Sequence, residues 1–344
     1  MSESYRIGIV GATGAVGGML LRVLEERSFP VSDLVAFASE RSAGVPVRFR
    51  GEPIECVELD EALVDGFDIV FSAAGGSVAQ EWAPRFASAG ATVIDKSSAF
   101  RDTVPLVVAE VNPEALEGHD GVIASPNCST IQLVLVLKPI LDVAGIERLV
   151  ISTYQSVSGT GVHAVEELQT QSYAELDSKA PPPPSAYPHR IAFNVIPQVE
   201  SFGDGDDYTT EERKMMNETR RILGAEDIGI SATCARVPVF IGHSESVNVQ
   251  TRDALSPEHC RALLAAAPGI NVVDDPPHAG YPLALDAAGI DDVLVGRIRH
   301  DASHERCLNM WIVGDNLRKG AATNAVQLAE ELVTRHLLPS AQAA

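Results

Sequence analysis

Residues 7–24 read IGIVGATGAVGGMLLRVL. Glycines 8, 11, 14 and 17 fall where a short β-rich run, Tyr5–Val10, gives way to a helical apolar pattern over Ala15–Arg27. The spacing of Gly11, Gly14 and Gly17 lets the backbone turn tightly and pass close to a pyrophosphate, which would rest on the free N–H groups at the helix start. A glycine pattern alone is a weak signal, but here it sits between a first strand and a first helix, the context that gives it meaning. Thr13, Ala15 and Val16 join the three glycines as expected cofactor contacts. Further strands are expected at Asp33–Ala38, Phe67–Ser72 and Thr92–Asp95, with a helix at Ser77–Ala89. Strands alternating with helices of this length predict an α/β, Rossmann-type dinucleotide-binding domain with a parallel sheet.

The second strand bears on which dinucleotide binds. An NAD site usually carries an acidic residue at the end of that strand, for the ribose 2′-hydroxyl. The chain has FASERSAG at residues 37–44. Ser39, Arg41 and Ser42 suit a 2′-phosphate, because a guanidinium in a hydroxyl-lined loop matches that dianion. Glu40 argues for NAD if it turns inward, and NADP is the expected cofactor.

With 344 residues the chain exceeds one ordinary domain, so two are expected. The texture changes after about Leu149. Strand patterns at Arg148–Ser156, Ile228–Arg236, Ser246–Thr251 and Cys307–Val313 join helical ones at Val162–Ser178 and Thr209–Leu223, which predicts a second, α+β domain with a mixed or antiparallel sheet. A last helical pattern, Lys319–His336, fits either domain. Pro181–Pro184 reads as a loop, and the acidic turn at 203–207 lacks the alternating ligand spacing of a calcium site, so no metal is expected. No secretory leader is expected ahead of Arg6, and the longest apolar run, Ile131–Leu141, is too short and too interrupted to span a bilayer. The formal net charge of −21 disfavours nucleic acid and anionic membranes as partners, and it obliges any anionic ligand to find a local basic pocket. Five cysteines, at 56, 128, 234, 260 and 307, form no CxxC pair, so a reducing cytoplasm is expected.

One of those cysteines stands apart. In SPNCSTIQLVLVLKPIL, residues 125–141, Cys128 lies where a turn becomes a helix, and a helix N-terminus favours the thiolate. Position alone still favours a buried structural thiol. A nicotinamide in the same chain changes the weighing: a thiolate beside it points to attack on an aldehyde, hydride loss and a thioester. Such chemistry needs an acid or base at the tetrahedral centre. His243, in RVPVFIGHSESV, follows a β-rich run and a glycine and reads as a loop residue; His163, His189 and His278 are rivals on composition.

Taken in order, GATGAVG, SPNCST, YQSVSGTG, EERK and RVPVFIGHSE resemble the aspartate-β-semialdehyde dehydrogenase family from Arg6 to about Glu330. The resemblance implies phosphate-dependent and NADP-dependent interconversion of L-aspartate 4-semialdehyde and L-4-aspartyl phosphate, on the route to lysine, methionine and threonine. It makes Cys128 the nucleophile and His243 the acid/base, with Gln155 orienting the intermediate. Arg236 would pair with the substrate carboxylate, Glu211 with its amine, and Lys214, Arg101 and Asn127 with phosphate. Asn316 would reach the cofactor. The implied domains are 1–127, joined by a C-terminal helix at 317–344, and 128–316, which carries catalysis and homodimerisation. Lys96 departs from the family's usual Asn, and the segment after Arg101 is short. A sister acyl-phosphate reductase with another substrate, or a non-catalytic relative, are the alternatives; a GCY-type nucleophile sequence would mark the former, and retention of Cys128 with His243 speaks against the latter.

Overall fold

The computed structural model describes residues 4–203 and 205–339. The chain divides into two compact units, one running up to Asn127 and resuming at Ala321, the other spanning Cys128–Gly320.

In the first unit the strands are β1 (Tyr5–Val10), β2 (Val31–Ala38), β3 (Pro46–Phe49), β4 (Glu52–Glu55), β5 (Val57–Glu58), β6 (Ile69–Ser72), β7 (Thr92–Asp95) and β8 (Val122–Ala124). β3 and β4 form a separate hairpin; the other six make a parallel sheet in the order β5-β2-β1-β6-β7-β8. Side chains alternate across a strand, so Ile7 and Ile9 meet Leu20 and Leu24 of helix α1 (Ala15–Glu26), together with Leu328 and Leu332 of the C-terminal helix. Val10 faces the other way, into a cluster with Phe37, Phe67 and Phe86, the last from α2 (Gly76–Ser88). Each fully buried leucine or phenylalanine contributes about 1.5–3 kcal/mol. The chain order reverses between β1 and β6, and such a switch point opens a crevice at the carboxyl ends of the strands.

The second unit starts with α3 (Cys128–Ala144). Residues 129–137 of α3 are all buried, so it is a core helix rather than an amphipathic one. It is sandwiched between helices α5 (Thr210–Leu223) and α6 (Pro257–Ala265) and a six-stranded sheet. The strands are β9 (Ile146–Gln155), β10 (Gly229–Arg236), β11 (His243–Thr251), β12 (Ile270–Val272), β13 (Val293–His300) and β14 (Cys307–Gly314). Their order is β10-β9-β11-β14-β13-β12, with parallel pairs at the two edges and antiparallel pairs between. Two further helices are α4 (Val162–Leu176) and the single turn α7 (Ala284–Ala287), while α8 (Asn324–Thr334) belongs to the first unit. The start of α5 is fixed by a capping box in which Thr209 Oγ1 accepts from Glu212 N–H and the Glu212 carboxylate accepts from Thr209 N–H; Gly224, in the left-handed region, ends it.

His243 opens β11 instead of lying in a loop, and the apolar VPVF run before it is not a strand. Pro238 interrupts that run, and its backbone pairs with the segment after β9, Val157 N–H with Val239 and Ser158 N–H with Phe240. The expected C-terminal helix is broken as well: Arg318–Thr323 forms a wide turn before α8 begins at Asn324.

Candidate active site

The catalytic candidates of the second unit are assembled by strand register. Parallel pairing of β10 on β9 sets Arg236 beside Gln155. Antiparallel pairing of β11 sets Ser244 opposite Tyr154, so His243 falls beside Gln155; β14 sets Gly314 beside His243. One row, Arg236–Gln155–His243–Gly314, therefore crosses four strands at one end of the sheet. The row two residues deeper is Cys234–Thr153–Glu245–Ile312.

The backbone of one residue, Ser156, ties this row together. The Ser156 N–H donates to His243 Nδ1 at 3.0 Å, and the Ser156 carbonyl accepts from Arg236 Nη1 at 2.7 Å. Gly159 then lies so close that a Cβ there would be 3.2 Å from His243 Nε2 and 3.1 Å from Arg236 Nη1. His243 is 0% exposed, and its Nε2 has no hydrogen-bond partner, nor does Arg236 Nε. Burial, then the positive charge of Arg236, hold the imidazole well below its usual titration range.

Gln155 is buried and donates to Glu211 at 2.9 Å and to Thr153 at 3.3 Å. Lys214 lies 3.7 Å from Glu211 on the same helix and also pairs with Glu200. Gln132, on α3, donates to the carbonyl of His243 at 3.3 Å and fills the space left by Gly314. Cys128 is four residues earlier, hence on the same helix face one turn nearer the N-terminus. Gly320 packs against its Cβ. The other four cysteines are buried, and burial raises each of their thiols; Cys128 alone is partly exposed.

Asn316 is enclosed by its own unit. Its Oδ1 accepts from Gly242 N–H, Ser156 Oγ and Ser158 Oγ, and its Nδ2 donates to Ser158 Oγ. Both ends of the amide are thus engaged beneath His243.

In the first unit, Gly14 caps α1 with no side-chain hydrogen bond and no acidic residue in the first turn, which leaves a positive helix end for an anion. Gly11 takes φ +88° and lies against the backbone of Ala73 and Ala74; a Cβ on Gly17 would sit 2.2 Å from the Gly11 carbonyl. These contacts make a cradle that tolerates no side chain and fits a pyrophosphate. Thr13, Ala15 and Val16 complete that turn. At the end of β2, Ser39 caps a short turn through Ser42, and the exposed Arg41 has no hydrogen-bond or ion-pair partner among the described residues. Arg101 is buried and donates to the carbonyls of Ser97 and Lys96 at 3.0 Å each. Lys96 Nζ donates to the Pro126 carbonyl at 3.0 Å, under the turn that carries the buried Asn127, while Asp95 accepts from Ser97 instead.

Several residues were not legible as site residues in the sequence: Ser156, Ser158, Gln132, Glu200 and Glu245. So was the second glycine turn, where Gly75 (φ +96°) caps α2 after β6 without a side-chain bond; the pair Gly75–Gly76 directly after a strand was the available signal. Among the described residues no group of His, Cys, Asp or Glu is placed to hold a metal ion, and no helix is long and apolar enough to cross a membrane.

Comparison with known proteins gives two family matches: "Semialdehyde dehydrogenase, NAD binding domain" over residues 6–119 and "Semialdehyde dehydrogenase, dimerisation domain" over residues 137–319. Aspartate-semialdehyde dehydrogenase of Aquifex aeolicus is 52% identical, covering 97% of this chain and 99% of that protein. The Bacillus subtilis protein of the same name is 45% identical, covering 98% and 100%. Among solved structures, aspartate semialdehyde dehydrogenase II of Vibrio cholerae complexed with ASA superimposes with a TM-score of 0.93 at 46% identity, covering 97% of this chain and 99% of that one. The Candida albicans enzyme with NADP gives 0.74 at 26% identity, covering 97% and 100%.

Proposed function

The chain belongs to the aspartate-semialdehyde dehydrogenase family, and on that footing we propose that it interconverts L-aspartate 4-semialdehyde and L-4-aspartyl phosphate through a thioester on Cys128. It is an oxidoreductase of the phosphorylating aldehyde dehydrogenase type. The observation that carries the residue assignment is the row Arg236–Gln155–His243, with an unpartnered imidazole Nε2, facing a helix whose first residue is the one partly exposed cysteine.

Cys128, at the positive end of α3, is the nucleophile toward the aldehyde carbon. His243 presents Nε2 to the oxygen of the tetrahedral centre, where a preorganised donor in a dry site contributes most. Arg236 pairs with the substrate carboxylate, its Nε being without a partner in the protein. Glu211 takes the amine, while Gln155, held by Glu211, steadies the thioester carbonyl. Lys214, Arg101 and Asn127 are proposed for phosphate.

The GATGAVG turn, α1 and the Ser39–Ser42 loop hold a nicotinamide cofactor, which when bound supplies the hydride acceptor. We assign it as NADP because Arg41 is uncommitted beside two hydroxyls. Asn316 is proposed to reach the cofactor from beneath His243, where its amide Oδ1 accepts from Gly242 N–H and its Nδ2 donates to Ser158 Oγ. Five cysteines that form no disulfide among the described residues suit a reducing, cytoplasmic setting, and the unit matched as a dimerisation domain is the proposed homodimer interface.

One assay tests the reading: oxidation of aspartate semialdehyde with and without phosphate, against NADP and NAD. Phosphate-dependent reduction of NADP is expected, slower with NAD. Equal rates without phosphate would sink the acyl-phosphate assignment. N-acetylglutamyl semialdehyde in place of the substrate tests the sister-reductase alternative.

A further inference from the structure

We infer that Tyr187 is a positioning residue for substrate binding: its ring, beneath the guanidinium of Arg236, steadies that side chain and leaves Nε open to the substrate carboxylate. The inference rests on the proposed pairing of Arg236 with that carboxylate and deepens it.

Arg236 is buried at the end of β10, where Nη1 donates to the Ser156 carbonyl at 2.7 Å and Nε has no partner. Among the described residues it makes no ion pair. A buried cation without an anion is costly, yet a carboxylate placed to neutralise it would compete with the substrate for the same N–H groups. An aromatic ring meets both demands. Its π face attracts the charge as a whole, offers no oxygen to Nε, and keeps water off the side it covers. Tyr187 is placed to do this: Arg236 Cζ lies over its ring, 5.8 Å from the centroid. A guanidinium shielded on one side holds a carboxylate more strongly than one in open solvent.

The Pro-rich segment after α4 carries the ring to that place. Glu167, buried on α4, accepts from Ser185 N–H at 2.7 Å, Ser185 Oγ at 2.6 Å and Ala186 N–H at 2.7 Å. One turn further along α4, Gln171 Oε1 accepts from Ile191 N–H at 3.1 Å and Ala192 N–H at 3.3 Å, while its Nε2 donates to Glu167 at 3.3 Å. Tyr187 lies between these two anchors, packed on the apolar cluster that includes Val157 and Leu168. Its hydroxyl donates to Thr160 Oγ1 at 3.0 Å. Thr160 directly follows Gly159, the glycine that abuts both Arg236 and His243. The tyrosine is therefore held at its backbone and at its tip. Pro181–Pro184 fixes φ at four consecutive positions, which lowers the entropy lost when this strap is ordered.

The experiment pairs two substitutions in the full-length enzyme. Tyr187→Leu keeps apolar bulk and removes the ring; Tyr187→Phe keeps the ring and removes the hydroxyl. The binding probe is L-2-aminobutyrate, which has the carboxylate and amine of aspartate semialdehyde without the aldehyde oxygen. In Tyr187→Leu its affinity by calorimetry should fall about fivefold, and the KM for aspartate semialdehyde should rise by the same factor. The kcat at saturation and the KM values for phosphate and NADP should stay within about twofold of the parent. Tyr187→Phe should stay within about twofold of the parent throughout. In an Arg236→Ala background, adding Tyr187→Leu should change kcat/KM by less than about twofold, because the group through which the ring acts is gone.

Unchanged probe affinity in Tyr187→Leu overturns the inference, as does a loss in Tyr187→Phe as large as that in Tyr187→Leu. A leucine effect that persists undiminished beside Arg236→Ala also overturns it, since the tyrosine would then act as general packing. If instead the parent lacked phosphate-dependent activity, the proposed function would fail, and the probe affinities of the two Tyr187 variants would still decide the inference.

Discussion

The two units are proposed to bind their ligands by opposite means. In the first, the ligand-facing surface is backbone: glycines at 11, 14, 17 and 75, and two helix starts with no side-chain cap. In the second the proposed surface is side chains, five of them from β9, β10, β11, α3 and α5, the three strand residues being held by register and by the backbone of Ser156. A backbone site is specified locally, within a few residues of sequence, whereas a side-chain site depends on segments far apart in the chain being paired without error. Substitutions in the first unit should act through shape, and those in the second through chemistry.

Cys128→Ser sharpens the comparison most. It should cut turnover by about 10⁴-fold or more, while cofactor affinity, read by fluorescence or calorimetry, stays within about twofold. A comparable loss of cofactor binding would mean that the two sites do not separate. Gly17→Ala is the reciprocal change. Its methyl would lie 2.2 Å from the Gly11 carbonyl and 2.7 Å from Ala12 Cα, so the turn must open. Overpacking of this kind costs about 1–3 kcal/mol; the melting temperature should fall and the cofactor KM rise about tenfold, with kcat at saturation little changed. Arg41→Ala tests the one charged element of the backbone site. The KM for NADP should rise about tenfold while that for NAD barely moves; equal effects on both would place the 2′-phosphate elsewhere.

Glu245→Gln should have the smallest effect on activity and acts on stability instead. The carboxyl is 0% exposed, and burial pushes its pKa well above 4.5; the Gln132 amide opposes the shift and the charge of Glu211 adds to it. Below about pH 4.5 the acid is neutral in folded and unfolded chains alike. Above it the unfolded chain sheds the proton and the folded one keeps it, so the parent loses stability as pH rises. The glutamine variant is spared that loss. Its advantage in chemical denaturation should be near zero at pH 4 and grow steadily as the pH rises toward 8. A constant difference across the range would show that Glu245 is ionised in the fold.

The same contrast explains how far the sequence could be read. GATGAVG between a strand and a helix specifies its own geometry, so the dinucleotide unit and most of its strands were legible. The helix start at Cys128 was legible because it too is local. The row Arg236–Gln155–His243 joins three strands that sequence spacing cannot align, and only the family resemblance brought those residues together. His243 was misread as a loop residue because the apolar VPVF run imitates a strand, although Pro238 breaks it. Ser156 gave no signal, since its backbone bonds to His243 and Arg236 carry no mark in the sequence and its hydroxyl reaches Asn316, 160 residues away. Glu245 gave no signal either, since only the sheet shows which face α3 covers.

The strand order has a consequence during synthesis. β11 lies third in its sheet, and its outer neighbour, β14, is among the last segments of the chain to be made. Until residues 307–314 leave the ribosome, β11 is an open edge, with unpaired amides and with His243 and Glu245 near its free margin. An edge of that kind invites pairing with another nascent chain. Residues that end up fully buried are thus open for the last part of translation, and a chain stopped short of Gly314 should be recovered as aggregate rather than as a folded fragment.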